Sequence, residues 1–189
     1  MTYKTHLSTG ILFSSVVFLL IYKVELSPVL AIILLFSTIL GASAPDLDTP
    51  TGGLWQKIPA GSIIGRLVHP VFIGGHRHLS HSFIGMGLFV FLFYLLINIP
   101  LFHNSQFMIL NSANLMLAFI IGYASHLLAD SFTEEGVPLL FPIVYHFGIP
   151  PNPFQKVRIK TGHWFENLIV YPAVNLALIL VVFQYFKTK

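Results

Sequence analysis

Five apolar runs, each close to the thickness of a bilayer, leave this chain few ways to fold. They extend from about Leu7 to Tyr22, Pro28 to Ala42, Ser82 to Ile99, Ala113 to Leu128 and Leu168 to Phe186. A spanning helix needs about 20 mainly apolar residues, within a range of roughly 17–25. Only 9% of the 189 residues are charged, where a soluble domain carries about 25%. The expectation is an all-α polytopic membrane protein with about five transmembrane helices. Several runs are slightly short, as suits helices whose polar ends meet inside a protein cluster and not in lipid. Residues 1–189 read as one domain, because no repeat, low-complexity segment or linker divides them.

The segments between the runs fall into two kinds. Short turns, Lys23 to Ser27 and Pro100 to Ser112, lie on one side. On the other side Thr49 to Gly75 is rich in Gly and Pro, with Leu54 to Val71 apolar enough to lie in the interface as a short helix. Ser131 to Gly162 holds five prolines and reads as loop and turns. With five spans, the N-terminus and both long loops share a face that carries Lys4, Lys57, Arg66, Arg77, Lys156, Arg158 and Lys160. The opposite face carries Lys23, Lys187 and Lys189. The positive-inside rule then puts the richer face in the cytoplasm. A net charge of +3 suits contact with anionic head groups. No dense basic stripe with interleaved aromatics points to nucleic acid. The first run lacks a small-residue cleavage site and reads as a retained helix, not a signal peptide.

The polar residues of this chain are not scattered. All three aspartates, Asp46, Asp48 and Asp130, stand at ends of apolar runs on the face with the long loops. The same face collects His6, His76, His81 and His126, and Glu166 opens the last run. Carboxylates and imidazoles are expensive beside hydrocarbon and mark function there. The chain has no cysteine, so a metal site must use His, carboxylate, backbone or water.

His126 and Asp130 are spaced i, i+4 and share one helix face, where they can hold one ion or bridge two. The plainer alternative is a His–Asp hydrogen bond at a helix end. Asp46 and Asp48 follow Pro45, which ends the preceding helix. Alternate residues of an extended segment point to opposite sides, so one can ligate while the other orients a ligand from behind. Here the alternative is a solvated turn. His76-Arg77-x-x-x-His81 lies at a loop-to-helix junction, with Ser80 or Ser82 as the cap. Arg77 beside ligands suits an anion that its guanidinium can fork onto, or else serves as an interface anchor. Glu166 can be a ligand, a general base or a carboxylate favoured by a helix N-terminus. His78 is a weaker candidate, and His69, His103 and His146 have no partner in sequence.

The ordered set His6, Pro45-Asp46-x-Asp48, His76-Arg77-x-x-Ser80-His81-Ser82 and Ser125-His126-Leu127-Leu128-x-Asp130 resembles the YdjM-type inner-membrane proteins. The segments from Phe132 to Pro142 and Thr161-Gly162-x-x-x-Glu166 are similar to that family too. The resemblance implies a LexA-regulated, membrane-bound, metal-dependent hydrolase. The His-x-x-x-Asp element also resembles that of zinc-dependent phospholipase C and P1-type nucleases. Those enzymes add a His-x-x-x-Glu element, whereas His163 and Glu166 here are three apart, so no third metal is carried over.

Together these readings predict a metal site at one membrane face. His6, Asp46, His76, His81, His126 and Asp130 are its candidate ligands. Asp48 or Glu166 would take a proton from water, and Arg77 would hold a phosphate. Such ligands suit Zn²⁺ best, with Mn²⁺ or another first-row ion as alternatives, in a number the sequence does not fix. The expected activity is hydrolysis of a phosphoester in a membrane lipid or lipid-linked compound. The rival is a non-catalytic metal-binding membrane protein used in transport, sensing or partner binding.

Overall fold

The computed structural model describes residues 1–50, 52–69, 78–99, 106–143 and 145–188. His76 and Arg77 lie outside the described residues. Six α-helices and no strand are found among the described residues. They are α1 (Tyr3–Ser15), α2 (Pro28–Ser43), α3 (Gly61–Val68), α4 (Phe83–Ile97), α5 (Gln106–Ser131) and α6 (Tyr171–Lys187). A π-helical stretch, Val16–Ile21, prolongs α1, and another, Glu166–Val170, leads into α6. Three helices are long and apolar enough to cross a membrane: Tyr3–Ile21, Asn111–Ser131 and Glu166–Lys187. The apolar helices Pro28–Ser43 and Phe83–Ile97 are shorter, at 16 and 15 residues.

Local signals account for the short pair. α2 begins at Ser27, whose hydroxyl accepts from the Leu30 amide at 3.2 Å, with Pro28 in the first turn. It ends at Pro45, which opens a single 3₁₀ turn, Pro45–Asp48. Ser82 starts α4 by accepting from the Gly85 amide at 3.1 Å. Two expected boundaries move. α1 starts at Tyr3, so His6 lies inside the helix and not before it, and α5 starts at Gln106 instead of Ala113.

α5 is the centre of the bundle and packs against α1, α2 and α4, while α6 lies against α1. α2 and α5 approach most closely because glycine faces backbone from both sides. A Cβ on Gly41 would sit 2.1 Å from the Phe119 carbonyl oxygen, and one on Gly122 would sit 2.3 Å from that of Thr38. Small residues at helix contacts are how apolar helices gain packing where lipid offers no hydrophobic drive. Ser37 adds a hydrogen bond to the Leu115 carbonyl at 2.7 Å. Phe18, Leu34, Phe93, Leu115, Phe119 and Tyr123 fill the core, with the Phe93 and Phe119 rings stacked at 4.3 Å.

A short helix, α3, falls in the 54–71 segment as expected, with Ile63, Ile64 and Leu67 exposed. Residues 132–143 and 145–165 form a strap held by single bridges. Val137 and Phe147 exchange hydrogen bonds at 2.8 Å, and Ile159 donates to the Phe132 carbonyl at 2.9 Å. Arg158, itself part of the strap, is buried. Its Nε donates to the Pro150 carbonyl at 2.7 Å and its Nη2 to Asn152 Oδ1 at 2.8 Å.

Candidate metal centre

Five of the nine candidate residues come together at one end of the bundle. His6 arrives on α1, Asp46 on the 3₁₀ turn after α2, His81 just before α4, and His126 and Asp130 on the last turns of α5. His6, His81 and His126 are buried at 0–1% exposure, Asp130 at 1%, while the Asp46 side chain keeps 17% and marks the side open to water.

His126 is oriented by backbone. Its Nδ1 lies 2.7 Å from the Ala42 carbonyl oxygen, which can only accept, so Nδ1 carries the proton. Nε2 then presents a lone pair. It lies 3.6 Å from Asp46 Oδ1 and 3.7 Å from Asp130 Oδ2, and has no hydrogen-bond partner although fully buried. A buried nitrogen lone pair facing two carboxylate oxygens at such distances is unfavourable unless a cation lies among them.

His81 points at the same place. Its Nε2 is 3.6 Å from Asp130 Oδ2 and 3.9 Å from Asp46 Oδ1. Behind the ring, Ser80 donates to Asp48 Oδ2 at 2.5 Å, which leaves the Ser80 oxygen to accept from His81 Nδ1 at 3.0 Å. Asp48 also accepts from the Thr49 hydroxyl at 2.9 Å. The chain Asp48–Ser80–His81 thus fixes the tautomer from outside the ligand set, an arrangement common around metal-bound imidazoles. Two imidazole nitrogens and two carboxylate oxygens therefore converge. The four imidazole–carboxylate separations, 3.6–3.9 Å, approach the edge of about 3.4 Å that a tetrahedron with zinc-like bonds has.

His6 closes the cluster from above. Its ring stacks on His126 with centroids 3.6 Å apart and planes 5° off parallel, and its Nε2 is 3.1 Å from Asp130 Oδ1. The Met1 amine also contacts Asp130 Oδ1. Two sets of three ligand atoms lie within 4.8 Å of one another, His6–Asp46–His126 and His81–His126–Asp130. The donor set fits a divalent first-row ion, with no soft ligand in it. Burial works against the charge of Asp46, but His126, His6 and His81 around it outweigh burial and the nearby Asp130. They hold the carboxyl below the usual carboxylate range.

Glu166 is buried but sits elsewhere. It accepts from the Thr2 amide at 2.6 Å, the Thr2 hydroxyl at 2.7 Å and the Gly162 amide at 2.7 Å. It thereby ties the start of α1, and so His6, to the start of the last helix. His78 faces Phe141 with ring centroids 6.2 Å apart. Three contributors escaped sequence reasoning. The Ala42 carbonyl carries no side-chain signal. Ser80 was read as a possible cap, but Ser82 takes that role. Tyr123, in the core, donates to the Ser80 carbonyl. The position of Ser80 between two histidines was the available clue.

A family model described as YdjM inner membrane protein matches residues 1–189. The YvsG protein of Bacillus subtilis (strain 168) is 30% identical over 170 residues, covering 90% of this chain and 88% of that protein. Inner membrane protein YdjM of Escherichia coli (strain K12) is 33% identical over 160 residues, covering 82% of this chain and 73% of that protein. The same identity and coverage hold for inner membrane protein YdjM of Shigella flexneri. No solved structure matches the chain. An all-helical chain with apolar helices, matched from end to end, belongs to the YdjM inner membrane protein family.

Proposed function

We propose that the protein is a membrane-bound metal-dependent hydrolase that cleaves a phosphoester in a membrane lipid or lipid-linked compound. The observation that carries the reading is His126. Its proton is committed to the Ala42 carbonyl, and its buried Nε2 faces Asp46 and Asp130 without a hydrogen bond. His81, His126, Asp46 and Asp130 would hold one ion, with His6 available to it or to a second. When bound, such an ion polarises a phosphoryl oxygen and lowers the pKa of water. Zn²⁺ suits the donors best, and Mn²⁺ is the alternative.

The chain's own groups divide the remaining work. Asp48 and Ser80 hold His81 in place, and Glu166 holds the α1 start that carries His6. With the oxygens of Asp48 and Glu166 engaged in this way, Asp46, at 17% exposure, is the ligand carboxylate that opens the site to water. Arg77, four residues before His81, is assigned the phosphate, because a guanidinium forks onto two oxygens at once. The lipid preference rests on depth: the cluster lies at helix ends, beside apolar loops. Five crossings, with α2 and α4 as the short ones, put all these groups on one face. The seven basic residues of that face against three opposite make it the cytoplasmic one.

The test is elemental analysis of purified protein together with a phospholipid hydrolysis screen. The expected result is at least one equivalent of a first-row metal and phosphoester turnover that chelation abolishes. Less than about a tenth of an equivalent, with no uptake on reconstitution, overturns the metal. Full metal with no turnover on any phosphoester favours transport, sensing or partner binding. Arg77→Ala should lower catalytic efficiency with metal content near wild type. Unchanged kinetics on a verified substrate would make Arg77 an interface anchor.

A further inference from the structure

An apolar groove of about 420 Å³ runs between α4 and α5 at the end of the bundle that carries the cluster. On α5 it is lined by Ala124, Leu127, Leu128 and Ser131. Their spacing, i, i+3, i+4 and i+7, makes a stripe along one helix face. His126 and Asp130 face another way, roughly 130° around the same helix, but Asp130 adjoins Ser131 at its end. Across the gap stand Phe83 and Met86, on the helix that begins two residues after His81. The segments that carry His81 and Asp130 into the cluster therefore continue into the groove lining through Phe83 and Ser131.

The strap roofs the groove, with Phe147 and Ile149 in its lining. It is fastened at both sides. The Phe83 amide donates to the Leu139 carbonyl at 3.0 Å, and the Ile149 amide donates to the Ser131 carbonyl at 2.7 Å. Within the strap, Arg158 ties two turns together through the Pro150 carbonyl. The rim stays open, with Phe83 and Leu128 56% and 42% exposed. In a family of membrane proteins, such a cleft meets hydrocarbon and not water. Hydrated, it would force water against side chains that offer almost no partner; empty, it would forfeit packing. The apolar molecule at hand is a lipid tail. A cavity of about 150 Å³ lined by similar side chains takes a benzene, so this groove has room for a chain of roughly a dozen carbons or more.

We propose that this groove binds one acyl chain of a phospholipid and so presents the lipid's phosphate to the His/Asp cluster. The proposal rests on the phosphoesterase reading of that cluster and names its substrate class: a phosphoester carrying a long acyl chain. Specificity then comes from the tail as well as the head group.

The test uses full-length protein in nanodiscs with a phosphatidylglycerol probe carrying a diazirine in one acyl chain. Photolabelling should concentrate on Phe83–Met86 and Ala124–Leu128. Ala124→Trp, which fills the groove from an exposed position, should lower that labelling at least about fivefold while metal content stays at the wild-type level. Leu180→Trp, on the outer face of α6, should not. Excess unlabelled long-chain phosphatidylglycerol should compete, and glycerol phosphate should not, which keeps the proposal testable if Ala124→Trp misfolds. Labelling spread evenly over outer helix faces, or competition by glycerol phosphate alone, overturns it. His126→Ala separates the two readings, since groove labelling should survive metal loss. Labelling without metal in the wild type leaves the groove and removes the hydrolase; metal without groove labelling does the reverse.

Discussion

With its Nδ1 proton held by the Ala42 carbonyl, His126 offers Nε2 to two carboxylates that cannot satisfy it themselves. His126→Ala and Asp130→Ala should therefore each cut retained metal at least about tenfold while the protein still inserts, read by elemental analysis of the purified variants. If both keep full metal, the α5 pair are not ligands. Ser80→Ala acts differently. It removes the group that relays Asp48 to His81, so metal should still bind but about 10–100-fold more weakly, the usual loss when such a support is removed. Competition titration with a chelating dye reads this, and unchanged affinity would make Ser80 a bystander. Metal retention should also fall in acid, because protons compete with the ion for imidazole nitrogen. Metal content after dialysis at falling pH reads this, and retention independent of pH would speak against imidazole ligands.

At the scale of elements, the glycine contact of α2 and α5 sets the distance on which the Ala42–His126 hydrogen bond depends. Gly122→Leu would drive a side chain into the Thr38 carbonyl and Ala42 amide. Overpacking of this kind costs about 1–3 kcal/mol. A lowered melting temperature in detergent together with lost metal is the expected outcome, and a variant of wild-type stability and metal content would show that the helices can part without harm. This element scale also shows what the sequence made legible. His126 and Asp130 were readable because helical periodicity alone puts them on one face, and the α2 end because Pro45 forces it. The start of α1 was not readable. Thr2 offers no side-chain cap to its own helix, and the partner of its amide is Glu166, 164 residues away. Asp46 and Asp48 were expected to point apart along an extended segment; they stand on a 3₁₀ turn instead, Asp46 toward His126 and Asp48 toward Ser80. Burial of Arg158 had no local signal either, because its partners are backbone and amide groups of a loop that must fold first.

For the whole molecule, the arrangement predicts one sided chemistry. Cysteines placed singly at the exposed Ser62 and Thr161, in a chain that has none, should resist a membrane-impermeant thiol reagent in intact cells and react after lysis. Labelling of both from outside would invert the topology. The cluster also has a history. Its candidate ligands sit on α1, after α2, before α4 and on α5, so no stretch of chain shorter than residues 6–130 contains them all. During synthesis the early helices would enter the bilayer with their aspartates and histidines unmatched. Only when α5 arrives can Asp130 and His126 complete the ring, and only when Glu166 follows is the helix bearing His6 pinned. An ion taken up at that moment would act as a latch on four separate segments at once, and a chain truncated before α5 would have nothing to close.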